Sequence, residues 1–218
     1  MNPLLPVVVL TTLSLLPASA QLAQGDLVEV TGVTVDYVTT PEFSFQFGPK
    51  GKKTKNREWL EIETTFNWQP RPSPSAPRFL DELTVNYYIL LNNPGFRDPS
   101  TGGLAKATLL TGRSTLTAVA AGKGLKTVVY ISPRTLDRFF DGKQPATAGS
   151  AVKEVSVAVT RGGQLVGYLS QGKFPPNWWN DFQPNVQGYV LNKNETPFAA
   201  VAWDYYEPLK AQQTPGGF

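Results

Sequence analysis

The sequence predicts an all-β protein, an antiparallel β-sandwich of about seven or eight strands with one or two short helices. Three observations predict it. Apolar and polar residues alternate along several runs, as in strands that bury only one face. Turn-forming residues are abundant, with 19 glycines and 19 prolines among 218 residues, and aromatic residues reach 11%. No helical stretch of ten or more residues separates the β-rich runs, which favours antiparallel over parallel pairing.

The first half of the chain contains three clear strand patterns. One covers residues 27–37, and Gly32 within it predicts a kink or bulge. A second covers residues 59–68, where every other residue is apolar or threonine and faces one side of the sheet. A third covers residues 83–91. The members of the second strand that share this face are Leu60, Ile62, Thr64, Phe66 and Trp68.

The second half adds further strands and one helix. Residues 107–119 and 124–132 are β-rich and are separated by a hairpin-like turn at residues 120–124. A second hairpin joins residues 152–160 to 165–170, and a last strand is predicted at residues 186–191. Between these, Ser132 can cap a helix with Pro133 at its first position, and Asp141-Gly142 should end it after about two turns. We expect this helix to cover one open end of the core.

Residues 1–20 are typical of an export signal. The stretch 4–16 is apolar and uncharged, too short for a membrane span of roughly 20 residues but suited to a signal peptide. Ala18-Ser19-Ala20 provides the small residues that precede a cleavage site. We therefore predict a signal peptide at residues 1–20, one domain at residues 21–211 and a flexible tail at residues 212–218. An uncleaved membrane anchor is the alternative; otherwise the mature chain has no transmembrane span and lies in the periplasm, at the outer membrane or on the cell surface.

The composition excludes several kinds of catalysis. The chain has no histidine and no cysteine, which excludes Ser-His-Asp triads, thiolate nucleophiles, disulfides, and zinc or iron–sulfur sites built on these residues. The acid pairs Asp81-Glu82 and Asp204/Glu207 show no spacing that identifies a glycosidase or a calcium loop. We therefore expect no enzyme activity, no metal and no cofactor.

A basic loop is the strongest electrostatic feature. Five cations lie within eight residues and could contact an anion such as phosphate, an acidic glycan or a lipid surface. The alternative is a solvated loop whose lysines prevent edge-to-edge pairing of sheets. Nucleic acid is not expected, because no aromatic residues interleave the cations and the net charge is only +3. The five residues are Lys50, Lys52, Lys53, Lys55 and Arg57.

A second candidate site is the aromatic run around Trp178, Trp179 and Phe182. Neighbouring side chains of a strand alternate between faces, so we expect one of the two indole rings to be exposed or to close an end of the sandwich. Such rings could contact a protein partner or stack on sugars. The alternative is a hydrophobic lid over the core.

The C-terminal region resembles a known family. Residues 192–198 (NKNETPF) and 202–207 (AWDYYE) are similar to the close of the verrucomicrobial pilus-like proteins, the immunoglobulin-fold, pilus-associated proteins of the Akkermansia muciniphila type. The similarity extends to residues 83–91, residues 130–136 (YISPRTL) and Trp178-Trp179. This resemblance implies an exported immunoglobulin-like sandwich linked to pili or other surface structures, with no catalytic residues.

The C-terminal motif also has a structural interpretation. Pro197 forces an extended or turn conformation at Thr196. Phe198, Trp203 and one of the tyrosines 205 and 206 would then pack on the end of the sheet, while Lys193 and Glu195 would remain at the surface.

These observations give one leading functional hypothesis and one alternative. The leading hypothesis is an exported, non-enzymatic surface or pilus-associated immunoglobulin-like protein that acts in assembly, adhesion or host interaction. Its expected partner is a protein of the pilus or outer-membrane machinery, engaged for instance by strand addition, and a homo-oligomer is a further candidate. The alternative is a carbohydrate-binding module that uses the Trp178/Trp179 loop.

Overall fold

Period-two alternation produces two β-sheets that face each other across one apolar core. The computed structural model describes residues 27–42, 56–70, 72, 77–92, 108–172, 174–182, 185–202 and 204–211. Within these ranges seven strands contain seven residues or more, and four shorter strands accompany them. The predicted all-β antiparallel sandwich with short helices is confirmed.

The first sheet has four antiparallel strands. Its order is β1 (Leu27–Thr39), β2 (Glu58–Gln69), β7 (Gly122–Ile131) and β11 (Val190–Asn192). The register of β1 against β2 shifts between Val30 and Gly32, which is the bulge predicted near Gly32. A bulge turns the strand locally and helps the sheet to follow the curvature of the sandwich.

The second sheet has five strands. Its order is β10 (Asn185–Gln187), β5 (Thr108–Leu116), β4 (Leu83–Leu91), β8 (Val152–Arg161) and β9 (Gln164–Ser170). All its pairs are antiparallel except β10 with β5, which is parallel. The predicted hairpin between β8 and β9 is present. Gly162 and Gly163 both adopt positive φ there, as a two-residue hairpin loop requires.

The core lies between the inner faces of the two sheets. The face predicted for the second strand pattern is the inner face of β2, where all five residues are fully buried. The inner face of β4 is equally closed, and burial of each such aliphatic or aromatic side chain contributes about 1.5–3 kcal/mol. The fully buried inner-face residues of β4 are Leu83, Val85, Tyr87, Ile89 and Leu91.

The predicted hairpin at residues 120–124 is wrong. Strand β5 belongs to the five-stranded sheet and β7 to the four-stranded sheet, so the chain crosses between the sheets here instead of folding back. Residues Val119–Ala120 form a short strand, β6, which pairs with β3 (Phe79–Leu80) at the crossing. The last predicted strand is likewise divided between the sheets, as β10 and β11. Gly188, with φ of 83°, lies at that transition.

Two short α-helices connect strands. Helix α1 (Pro133–Phe139) begins after Ser132, whose side chain accepts a hydrogen bond from the backbone of Thr135. Its residues Leu136 and Phe139 are buried in the core. Helix α2 (Ala148–Ala151) precedes β8. Among the described residues, no helix has the length and apolar character needed to span a membrane.

Both lateral seams of the sandwich are closed by the chain itself. On one side β9 lies against β1: Gln171 Nε2 donates to the Val33 carbonyl, and a Cβ on Gly167 would lie 2.8 Å from the Val28 carbonyl oxygen. On the other side residues 207–211, here called the C-terminal strap, bridge the sheets. The strap bonds to both: Glu207 N donates to the Lys126 carbonyl of β7, and Lys210 N donates to the Thr115 carbonyl of β5.

Candidate binding surface around the aromatic loop

Residues 174–182, here called the aromatic loop, fold onto the outer face of the five-stranded sheet. Asn177 adopts a left-handed conformation (φ of 68°), which asparagine tolerates better than most residues. A single 3-10 turn, Trp178–Asp181, follows it. Because both tryptophans lie in this turn and not in a strand, alternation between sheet faces does not separate them. Both rings contact the same outer face.

Trp179 is the anchor of the loop. Only 7% of its surface is exposed, and its ring stacks on Tyr88 of β4 with centroids 3.7 Å apart and planes at 11°. Leu90, Leu109 and Ala158 complete a small apolar cluster beneath it. This cluster is separate from the main core, since its residues project from the opposite face of the sheet.

Trp178 and Phe182 pack beside this anchor. The Trp178 ring is half-buried, and its Nε1 donates to Ser156 Oγ at 2.8 Å. Phe174 and Phe182 meet the same ring edge to face, at 5.2 and 5.9 Å between centroids. The structure thus brings Trp178, Trp179 and Phe182 together, and neighbouring rings occupy the surroundings of both indoles.

A buried carboxylate holds the start of this loop. The sequence patterns did not indicate it. Glu154 of β8 is 2% exposed and accepts hydrogen bonds from Ser170 Oγ at 2.6 Å and from Gly172 N at 2.6 Å. A third comes from Ser156 Oγ at 3.2 Å. A side chain at position 172 would collide with this carboxylate. Three donors compensate the desolvation of the charge, and together they fix the chain just before the aromatic loop.

A polar groove lies beside the anchor, where β10 leaves the five-stranded sheet. Its volume is about 570 Å³, within the range of small-molecule sites. Tyr88 and Trp179 line it, Arg113 of β5 lies along it, and five amide side chains complete much of the lining. These amides are Asn86, Asn180, Asn185, Gln187 and Asn192.

The basic loop is mostly outside the described residues. Lys50, Lys52, Lys53 and Lys55 fall there, so their role as an anion contact stays a prediction. Arg57 is described and half-buried, and its Nη2 contacts Asp137 Oδ2 of helix α1 at 2.7 Å. This ion pair ties the residue before β2 to the helix.

The C-terminal segment, residues 193–202 and 204–207, covers the outer face of the four-stranded sheet. Phe198 stacks on Tyr130 with centroids 4.5 Å apart and meets Trp59 edge to face. The expectation that Lys193 stays at the surface is wrong. It is 6% exposed, its Nζ donates to the Ala199 carbonyl at 3.1 Å, and burial lowers its pKa.

Ionisable groups hold this second cover. Lys126 Nζ donates to Glu63 Oε1 at 2.6 Å and also contacts the Tyr205 hydroxyl. The Tyr206 hydroxyl donates to Glu63 Oε2 at 3.1 Å, and burial raises the pKa of Tyr206. Trp203, which was expected to pack here, lies outside the described residues.

Asp81 and Glu82, one of the acid pairs considered for catalysis, make contacts that serve the fold. Asp81 Oδ1 accepts from Ala118 N at 2.7 Å and from the Thr117 hydroxyl at 2.9 Å, and these bonds lower its pKa. Glu82 pairs with Lys210 of the C-terminal strap. Across the described residues, no group of three or more acidic side chains is arranged to hold a metal ion.

Comparison with known proteins identifies the family. A protein-family model matches residues 19–213, a range that includes every motif of the verrucomicrobial resemblance. The chain belongs to that family. A crystal structure of a protein from Akkermansia muciniphila has the same fold, with a TM-score of 0.70 at 24% identity, and the match covers 89% of this chain and 98% of that one. No curated protein matches the sequence.

Proposed function

We propose that this protein is exported and works at the cell surface as a non-catalytic component associated with pili, acting in assembly, adhesion or host interaction. The observation that carries the proposal is membership of the verrucomicrobial pilus-like family, matched over residues 19–213. The signal-peptide pattern at residues 1–20 supplies the route of export.

The positions of three carboxylates support a non-catalytic role. Glu154, Glu63 and Asp81 each accept hydrogen bonds from groups that hold a loop or a strand end in place. A general acid or base needs a carboxyl group that is free to meet a substrate. A carboxylate that already accepts several hydrogen bonds within the protein is poorly suited to act as a general acid or base.

The closed seams favour a particular way of binding partners. Strand addition needs an unpaired sheet edge. Here β9 lies against β1, and the C-terminal strap bonds to β5 and β7. We therefore favour recognition through side chains on loops and faces over addition of a partner strand. We expect a homo-oligomer to form through side chains on loops and faces as well.

Cell fractionation tests this proposal. The tagged full chain is expressed in its own host, and pili are sheared from the cells and separated from cytoplasm and envelope. We expect the chain in the envelope and sheared fractions, with crosslinks to pilus components on intact cells. The matched control lacks residues 2–20 and should remain in the cytoplasm.

Two results would contradict it. One is a cytoplasmic location for the full chain, identical to that of the control. The other is a surface location with no crosslink to any pilus component, which would leave export correct but pilus association wrong. Light scattering of the purified chain separately reports whether it self-associates.

A further inference from the structure

The polar groove beside Trp179 has features of a ligand site that the pilus-associated role does not use. It opens at the outer face of the five-stranded sheet, between the aromatic loop and β5. Gly188, with φ of 83°, lies where the chain leaves β10, whose pairing with β5 ends at Thr111. A Cβ on Gly112 would lie 2.5 Å from Val190 Cβ, so the groove's position is fixed by close strand packing.

Two of the groove's amides are held in place by the protein. Asn86 Nδ2 donates to the Ala158 carbonyl at 3.0 Å and to Thr160 Oγ1 at 3.2 Å. Asn185 Oδ1 accepts from Thr111 Oγ1 at 3.2 Å. Each amide uses one end in these bonds and keeps its other end for a further partner, a carbonyl acceptor on Asn86 and an amino donor on Asn185. Oriented polar groups of this kind lose little side-chain entropy on binding.

The remaining lining residues extend the same chemistry. Asn180 and Gln187 are exposed at the rim, and each offers both a donor and an acceptor. Arg113 is exposed and makes no ion pair with any described residue, so its guanidinium is available to a ligand oxygen. The stacked Tyr88 and Trp179 rings add an aromatic wall.

We propose that this groove binds a short oligosaccharide. Sugar hydroxyls both donate and accept hydrogen bonds, which matches a lining rich in amides. The single arginine adds a donor for a ring oxygen or a sugar carboxylate. The ligand contacts the groove and not the faces of the indoles, because Tyr88 covers Trp179 and three rings surround Trp178.

Two other ligand classes fit less well. An extended peptide would pair with the edge of β5, but β10 already occupies that edge from Leu109 to Thr111. A phosphate-rich ligand would need several cations, whereas the groove contains one arginine and also the carboxylate of Glu195.

A glycan array tests the proposal with the purified full chain. The array presents neutral, N-acetylated and carboxylated oligosaccharides, and affinities for the hits are then measured by calorimetry. We expect Gln187→Ala and Arg113→Ala each to weaken binding about three- to ten-fold, the effect of one lost ligand hydrogen bond, and the double variant to weaken it further. Matched controls are Gln164→Ala and Arg134→Ala, exposed residues away from the groove, which should leave affinity unchanged. Thermal melting confirms that each variant is folded.

Three results would overturn the proposal. One is retention of no glycan at concentrations up to the millimolar range. Another is glycan binding that the groove variants leave intact and Trp178→Ala abolishes, which would place the ligand on the aromatic loop. The third is binding of an extended-peptide library with no glycan bound. None of these results bears on pilus association, which the fractionation experiment tests separately.

Discussion

The two outer faces of the sandwich are each covered by a short aromatic segment, but different forces hold the two covers. On the five-stranded sheet, the aromatic loop depends on the Trp179–Tyr88 stack and on one fully enclosed carboxylate, Glu154. On the four-stranded sheet, the C-terminal segment depends on Phe198 and on a network of Glu63, Lys126 and Tyr206 that is only partly buried.

Each face should respond differently to salt and pH. Ring stacking and enclosed hydrogen bonds change little with salt, because water and ions do not reach them. A partly exposed network of acids, a lysine and tyrosines responds to both pH and ionic strength. We therefore expect the aromatic loop to form a rigid border for the polar groove, and the C-terminal segment to be the adjustable cover.

The largest effect is expected from Trp179→Ala. This change removes the Tyr88 stack and leaves a cavity above Leu90 and Leu109, so it should lower the free energy of unfolding by about 3–5 kcal/mol. Guanidinium denaturation measures the loss. Phe174→Ala is the control in the same loop. Phe174 is 38% exposed, and its truncation should cost less than about 1 kcal/mol. Equal losses for both variants would mean that Trp179 does not anchor the loop.

A smaller effect is expected from Glu154→Gln. The amide has nearly the same shape as the carboxylate, but its amino group cannot accept from the donors that Glu154 satisfies, Ser170 Oγ and Gly172 N among them. One buried donor is then left without a partner, at a cost of about 1–3 kcal/mol. Denaturation and tryptophan fluorescence together report stability and the environment of the aromatic loop.

Glu58→Gln is the matched control for this change, since Glu58 is exposed at the start of β2. It should leave both stability and fluorescence unchanged. If Glu154→Gln behaved like this control, the carboxylate would not be holding the aromatic loop.

Local sequence patterns predicted the strands, hairpin and helix that are determined by residues close together in the chain. The inner face of β2 follows from alternation, the β8–β9 hairpin from Gly162-Gly163, and helix α1 from Ser132-Pro133. The crossing near residues 120–124 was missed because a turn with two glycines serves equally for a hairpin and for a passage between sheets. The sheet that a strand joins depends on pairing with strands that are distant in the sequence, and the residues of the turn do not indicate which strands those are.

The candidate surface was predictable in part for the same reason. Adjacent aromatic residues identified the loop, because their sequence proximity guarantees that they meet. Glu154 and Lys193 were missed because charged residues outside the apolar alternation are expected at the surface, whereas here the chain folds back to bond with both, through Gly172 and Ala199 respectively. The polar groove was also missed, since its residues come from four separate stretches of the chain.

The smallest expected effect, but the one with the clearest sign, concerns Glu61 and Glu63 on the same face of β2. Burial raises the pKa of Glu61. A hydrogen bond with Tyr130 opposes this shift, and repulsion from the carboxylates of Glu63 and Asp36 adds to it. The folded state therefore binds this proton more tightly than the unfolded state does. The resulting stabilisation is complete below the unfolded pKa, about 4.3, and is lost as the pH rises through the raised folded pKa.

Glu61→Gln should therefore raise the free energy of unfolding at pH 7, by no more than about 1 kcal/mol, because the site remains partly solvated. It should also flatten the dependence of stability on pH between about 4 and 7. Glu63→Gln should have the opposite sign at pH 7, since it weakens the bonds to Lys126 and Tyr206. Denaturation series across this pH range measure both variants. If both substitutions changed the free energy of unfolding in the same direction at pH 7, the two carboxylates would not differ as their contacts indicate. The C-terminal segment would then not be held by charge.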